Sequence, residues 1–448
     1  MAFLKLPGVR VPHRKNTADM PAIRMPAPAE VCIPMSMHIG APAKPVVKPG
    51  DTVKVGQLIA EAGGFVSSPI HSSVSGTVKK IEDVLTSSGS YVPAIFIASD
   101  GKSEIADGIT PPVITDSDSF AAAARNSGIV GLGGAGFPTS VKLAVKDLSK
   151  IEHVVVNGAE CEPYITSDTR TMIDRTPDIV EGVALLEKWL GAKSIIFGVE
   201  SNKKKAIDVL RAAFSGDDRV TVKSLPPIYP QGGEKVLIYN TVGRIVPEGK
   251  LPLDVGVVIL NVTTLASIAA YVRTGMPLVE KCITVDGSAV KEPKNVIAPI
   301  GTSLKDVFEF AGGFRCEPKK VLYGGPMMGI SVPDLEQPVL KMTNAIIAMD
   351  SAEAEVPEEK PCIRCGSCIN HCPLHLDPPA IGKAYKLGDT ETLEKLKVNL
   401  CMECGVCSYS CPARRHIVQR NKLAKAELRR FQTERAERKK KEEENKNG

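Results

Sequence analysis

The chain of 448 residues is long enough for about three domains, each with its own core. Its 56 basic and 51 acidic residues give a net charge of +5, with Trp189 the one tryptophan, and basic stretches without interleaved aromatics argue against nucleic acid as a partner. Twelve cysteines and no opening signal peptide point to a reducing, cytoplasmic setting rather than to disulfides.

Residues 1–29 are Pro-rich and basic without periodicity, and are expected to form an extended arm that packs on something else. Residues 30–110 alternate with period two between turns: Pro45-Val-Val-Lys-Pro-Gly-Asp51 leads to Gln57-Leu-Ile-Ala, and Ser68-Pro-Ile-His71 leads to Gly76-Thr-Val-Lys-Lys-Ile81. The pair resembles the two halves of a biotinyl/lipoyl-type barrel-sandwich hybrid. A carrier domain presents a modifiable Lys between the halves; residues 61–67 contain none, so a structural, non-carrier role is expected.

From 115 to 270 helix and strand alternate, the patterning of an α/β domain. Strands are predicted at 154–157, 194–198, 220–223 and 255–262, and helices at 177–190 and 203–214, with Ser201 as a cap. The uncharged stretch 255–272 reads as a buried strand entering a buried helix rather than a membrane span, because Asn261, Thr263, Thr264 and Ser267 interrupt it. Residues 271–335 form a short α+β module, and 336–360 are expected to be a linker that ends in the acidic run 351–359.

Two stretches of the α/β segment carry chemistry. Gly131-Leu-Gly133-Gly134-Ala-Gly136-Phe137-Pro138-Thr139-Ser-Val-Lys142 matches G-x-G-x-x-G, yet residues 120–126 before it read as helix, whereas a Rossmann turn follows a strand. Bare glycines let the backbone approach a planar ring or a phosphate. Pro138 suits the first turn of a helix whose N-terminus favours an anion, and Lys142 adds a point charge. The alternative is a tight structural turn. Asn157-Gly-Ala-Glu160-Cys-Glu162-Pro163-Tyr164 follows a buried strand, a common place for ligand contacts. Asn can bond a flavin's ring edge and Glu a ribose or amide; the alternative is a surface loop.

Near the C-terminus stand two cysteine runs, Cys362-x-x-Cys365-x-x-Cys368-x-x-x-Cys372-Pro373 and Cys401-x-x-Cys404-x-x-Cys407-x-x-x-Cys411-Pro412. This is the spacing of a two-cluster ferredoxin, in which the fourth Cys of each run ligates the other cluster. One [4Fe–4S] cluster is thus assigned to Cys362, Cys365, Cys368 and Cys411, the other to Cys401, Cys404, Cys407 and Cys372. Zinc ribbons use Cys-x-x-Cys pairs instead. The spacer reads as two short helices, 380–387 and 390–400, broken at Gly388-Asp389, and looks like the α-helical ferredoxin of respiratory electron-transfer subunits. Residues 413–448 hold 13 Lys/Arg and 6 Asp/Glu, so 416–448 is expected to be a basic tail, a solvated helix that frays.

The glycine loop and the segment 157–163 resemble the NADH-binding flavoprotein subunit of respiratory complex I. Gln231-Gly-Gly233-Glu234 resembles that family's Gly-Glu loop beside flavin and nicotinamide, Asn261-Val-Thr-Thr264 resembles its Asn-Val-Glu-Thr flavin contact with Thr263 in place of Glu, and 282–329 resembles its β-grasp module. Ala159 stands where the family has an Asp flavin contact, so that contact is not carried over. The order of all motifs is similar to that of the RnfC subunit of the Rnf complex, an ion-translocating ferredoxin:NAD+ oxidoreductase.

The resemblance implies a multidomain α/β protein: arm 1–29, barrel-sandwich hybrid 30–110, FMN/NAD(H)-binding α/β domain 115–270, β-grasp module 271–335, linker 336–360, helical ferredoxin 361–415 and tail 416–448. It implies FMN held by Gly131, Gly133, Gly134, Gly136, Lys142, Asn157, Glu160, Gly233, Glu234 and Asn261, with Phe137 and Glu162 toward NAD(H). No acid–base catalytic residue is expected. Partners would be NAD(H) and other subunits of a membrane electron-transfer complex, including a ferredoxin-accepting iron–sulfur subunit. The chain, with no transmembrane segment of its own, would sit peripherally on the cytoplasmic face of the cell membrane. A cobalamin reductase and a soluble NADH diaphorase, with the same cofactors, are the alternatives.

Overall fold

The computed structural model describes residues 6–447, with side chains to 443; the ends of the expected arm and tail lie outside them. The chain divides into two compact units. One holds Pro12–Pro227 and Leu237–Glu355. The other holds the chain up to Val11, Ile228–Val236 and the C-terminal stretch from Val356.

The first unit begins with the arm, which is more than a covering strap. Ile23–Arg24 adds an edge strand parallel to Lys294–Pro299, and Lys15 sends its ammonium under a loop 145 residues away. Two antiparallel sheets follow. Glu30–Pro34, Tyr91–Ser99, Gly76–Leu85 and Thr52–Val53 make one, and Lys44–Pro45, Leu58–Glu61 and Ile70–His71 the other. Alternation buries one face of these strands, and Val31, Ile33, Ile95 and Ile97 join the same core as Val154, Val156 and Leu265 of the next domain.

That next domain carries a four-stranded parallel sheet in the order Val220–Leu225, Ile195–Glu200, His153–Gly158, Val257–Asn261. The chain builds outward from His153–Gly158 on one side, then returns to place Val257–Asn261 on the other. Helix Thr176–Leu190 ends at Gly191 in the left-handed region and packs on helix Val262–Thr274, where Gly182 leaves room for Leu265. Helix Lys204–Ala213 is not capped by Ser201. Lys203 takes the cap position, while Ser201 N donates to Leu225 O. The uncharged stretch 255–272 is strand Val257–Asn261 followed by helix Val262–Thr274. Among the described residues no helix is long and apolar enough to cross a membrane.

A six-stranded mixed sheet completes this unit in the order Ile23–Arg24, Lys294–Pro299, Glu280–Asp286, Ala345–Met349, Lys320–Tyr323, Ile330–Ser331. The expected linker 336–360 is therefore not a linker over its middle: Ala345–Met349 is a fully buried strand inside the sheet. Its apolar Ala-Ile-Ile-Ala-Met sequence buries both faces of the strand.

The second unit carries the cysteine runs, each with a one-turn helix, Ser367–Asn370 and Val406–Tyr409. The spacer forms helices Pro378–Lys386 and Thr390–Lys395 and a 3-10 turn Val398–Leu400. The helix Ile417–Asn447 corrects the tail expectation at its start. Ala424 and Leu428 are buried in one cluster with Ile381, Leu393 and Val398, so the ferredoxin fold does not stop at 415.

Candidate functional site

The parallel sheet reverses its building direction between His153–Gly158 and Val257–Asn261. Such a switch point opens a crevice at the carboxyl ends of the strands. Asn157, one residue before the end of its strand, and Asn261, the last residue of its own, lie in direct register. Asn157 Oδ1 accepts from Ala159 N at 3.1 Å. Asn261 Oδ1 accepts from Thr263 N and Thr264 N at 2.9 and 3.1 Å, capping the following helix, while Nδ2 donates to Asp168 Oδ2 at 2.7 Å.

The glycine loop closes over Asn261. Gly131 N donates to Phe137 O at 2.8 Å and Gly136 N to Gly131 O at 3.1 Å, so the loop is a closed hairpin. Its base is tied on both sides: Leu132 N donates to Thr264 Oγ1 at 2.9 Å, and the buried Lys281 Nζ donates to Leu132 O at 2.7 Å. The crest, Gly133-Gly134-Ala135, is exposed. Gly134 has φ +113°, and a Cβ on Gly133 would stand 2.7 Å from Asn261 Nδ2. The helix after the loop, Thr139–Leu143, has only five residues, and Pro138 is its cap residue rather than part of its first turn. The expected anion site at a helix N-terminus is thus reduced to Lys142. Its Nζ donates to Ile259 O at 3.2 Å and lies 6.0 Å from the centre of the Phe137 ring.

The acidic loop is more internally committed than its sequence suggests. Glu160, with φ +47°, accepts from Asp168 N at 2.6 Å and from Thr169 Oγ1 at 2.5 Å, and so holds the start of helix Ser167–Asp174. Burial pushes this carboxyl above its usual range. Lys15 Nζ pins the carbonyls of Glu160, Glu162 and Ile165 at 2.6–2.8 Å. Glu162 accepts from Met327 N and Met328 N at 3.0 and 2.7 Å, bridging to the Gly324–Gly329 turn of the β-grasp sheet. Gly233 and Glu234 fall in the other unit, where Gly233 packs against the side chain of Met402.

Sequence reasoning missed Asp168, Lys15, Lys281 and Asn344, whose Nδ2 lies 3.4 Å from Gly133 O. Only Lys281 carried a visible signal, a lone cation in an apolar strand. The residues present fit a flat, phosphate-bearing ring system: bare backbone on one side, two fixed amides in register on the other and a cation at the base.

In the second unit the eight run cysteines gather in two sets. Cys362, Cys365, Cys368 and Cys411 line one cavity, and Cys372, Cys401, Cys404 and Cys407 line another. The two runs share a backbone signature. Arg364 and Glu403 have φ +56° and +60°, Gly366 and Gly405 +74° and +78°, His375 and Arg414 +53° and +52°. Repeated left-handed residues of this kind turn successive backbone N–H groups inward, a geometry that suits an anionic cluster. Leu376 N points at Cys372 Sγ at 3.4 Å.

Four family models match in chain order: an RnfC barrel-sandwich hybrid domain at 5–102, a Nuo51 FMN-binding domain at 124–270, an SLBB domain at 282–331 and a 4Fe-4S dicluster domain at 361–415. The C component of the Na(+)-translocating ferredoxin:NAD(+) oxidoreductase complex of Acetobacterium woodii is 43% identical over 94% of this chain and 96% of its own. The chain belongs to the RnfC family. The C component of the proton-translocating complex of Clostridium ljungdahlii is 44% identical over 82% of this chain and 80% of its own, and that of the ion-translocating complex of Rhodobacter capsulatus 37% over 93% and 81%. Among solved structures, a chain of an NAD+-reducing [NiFe]-hydrogenase shares 22% identity at TM-score 0.48, over 70% of this chain and 63% of that one. As a member of the RnfC family, the chain is one part of an oxidoreductase built from several subunits, with FMN and two [4Fe–4S] clusters as cofactors.

Proposed function

We propose that this chain is the NAD(H)-linked flavo-iron–sulfur subunit of an ion-translocating ferredoxin:NAD+ oxidoreductase. It would sit peripherally on the cytoplasmic face of the membrane and exchange electrons with neighbouring subunits, among them one that accepts electrons from ferredoxin. The observation that carries this reading is the register pair Asn157 and Asn261 at the sheet's switch point, with a loop over Asn261 whose crest bears no side chain larger than the Ala135 methyl. FMN, when bound, supplies the conversion between the electron pair of NADH and the single electrons a cluster accepts.

Gly131, Gly133, Gly134 and Gly136 let the backbone approach the ring. Asn157 and Asn261 fix its edge, and Lys142 meets the phosphate. Glu160 orders the loop that follows Asn157. Phe137 and Glu162 are the contacts proposed for NAD(H), which requires the Glu162 carboxylate to leave the Met327 and Met328 amides. Cys362, Cys365, Cys368 and Cys411 would ligate one cluster, and Cys372, Cys401, Cys404 and Cys407 the other. The test is anaerobic purification with FMN and reconstituted clusters, then titration with NADH. Bleaching of the visible flavin band with growth of reduced-cluster EPR signals is expected; a flavin that stays oxidised overturns the reading.

A further inference from the structure

The two cysteine runs are related by an internal repeat, and comparing equivalent positions separates their roles. In the second run Glu403 precedes Cys404, and Lys425 pairs with it at 3.0 Å while donating to Cys401 O at 2.7 Å. Asn421 lies with its Nδ2 3.8 Å from Cys401 Sγ. This site is covered and its charges are balanced, and Met402 inside the run is packed against Gly233. In the first run the position of Glu403 is taken by Arg364, that of Asn421 by Gly382, and that of Lys425 by Lys386. One carboxylate has become a cation and the covering amide is missing. Arg364, Lys383 and Lys386 are exposed and have no carboxylate partner among the described residues. Asp377, on the same cavity, is turned inward to cap helix Pro378–Lys386 through Ala380 N at 3.0 Å. Beside these cations, Ile363 and Leu387 are 67% and 71% exposed. An apolar patch bordered by exposed, unpaired cations suits a transient docking surface: the charge steers the encounter and the patch seats it.

We infer that the face around Cys362, Cys365 and Cys368 is the docking port for an electron-carrying protein with an acidic patch around its own metal centre, and that the second cysteine set is the internal relay. The inference rests on the dicluster reading above and deepens it. In the step at this port, one electron passes between the cluster of the first set and the partner's metal centre. One is oxidised as the other is reduced, and no bond or proton changes.

The test uses the full, cluster-loaded chain, reduced photochemically with deazaflavin so that neither NADH nor flavin turnover is needed. Stopped-flow mixing with an oxidised acidic two-cluster ferredoxin should give fast electron transfer that slows as ionic strength rises. Lys383→Glu with Lys386→Glu should slow it by about tenfold, and the same variant should speed transfer to the basic acceptor cytochrome c. Arg429→Glu, an exposed cation of the C-terminal helix that lines neither cysteine cavity, should leave both rates within about twofold. Iron content and EPR confirm that each variant keeps its clusters. Equal rates in the double variant and the unaltered chain, parallel slowing toward both acceptors, or an effect of Arg429→Glu as large as the double reversal, would each overturn the inference. Failure of NADH to reduce the chain would sink only the preceding reading.

Discussion

Asn261 has one side-chain amide and several neighbours that compete for it. Its oxygen is spent on the cap of helix Val262–Thr274, so its nitrogen must donate, and Asp168 is the acceptor. The second oxygen of Asp168 takes the Thr263 hydroxyl at 2.6 Å. Thr263 stands where the flavoprotein resemblance has Glu, and the Asp168 carboxylate lies beside it. A hydrogen bond to a charged acceptor is worth about 1.5–3 kcal/mol. Asp168→Asn sets amide against amide and is expected to weaken FMN binding by the apoprotein about tenfold. Quenching of FMN fluorescence measures this, and an unchanged affinity would show that the orientation of Asn261 does not matter to the flavin. The motif Asn-Val-Thr-Thr made Asn261 legible in the sequence. Asp168 was not, because an acidic residue in the first turn of a helix has an ordinary dipole explanation.

At the scale of elements, legibility followed local periodicity. Three of the parallel strands could be placed from apolar runs, since burial on both faces leaves that mark, and the half-exposed edge strand Val220–Leu225 from its Val-Thr-Val alternation, whereas the short polar helix Ser167–Asp174 was not read. The C-terminal helix was read as a solvated tail because its charges dominate. Yet Ile417, Val418, Asn421, Ala424 and Leu428 recur at helical spacing, and those positions are buried in the ferredoxin fold. The contact reaches as far as Arg435, which forks onto both oxygens of Glu394 at 2.9 Å. Leu428→Ala is expected to cost about 2–5 kcal/mol, as a buried leucine truncated in a packed core does. Removing the residues after Arg435 should change stability by less than about 0.5 kcal/mol. Urea unfolding followed by loss of cluster absorbance distinguishes the two; equal effects would mean that the helix contributes only as a charged rod.

Across the first unit as a whole, three lysines tie segments distant in sequence, Lys281 and Lys341 buried and Lys15 half-buried, and only Lys281 left a mark in the sequence. Lys15 holds the acidic loop, Lys281 the glycine loop, and Lys341 the junction of the barrel-sandwich with the flavin-binding domain. Periodicity records which face of a segment is buried, not which carbonyl 272 residues away receives an ammonium. Lys341 is fully buried. Its Nζ donates to Pro69 O, Ser68 Oγ and Gly128 O at 2.5, 3.2 and 2.8 Å. Burial lowers its pKa from 10.5 to about 7. Between those two values the unfolded chain holds a proton that the folded chain has released, so the stability contributed at this site rises with pH across the window, by at most about 1.4 kcal/mol per unit. Below about pH 7 both states are protonated and the slope vanishes. Lys341→Met removes the titrating group while keeping most of its volume. The difference in urea midpoint between the unaltered chain and this variant should therefore grow from about pH 7.5 to about pH 9.5, within the window set by the two values. The three freed acceptors lower the variant's stability by an amount independent of pH, so the slope of that difference, not its size, isolates the ammonium. A difference that stays flat over this range would mean that Lys341 keeps its proton in the folded protein and that its three acceptors outweigh the cost of burial.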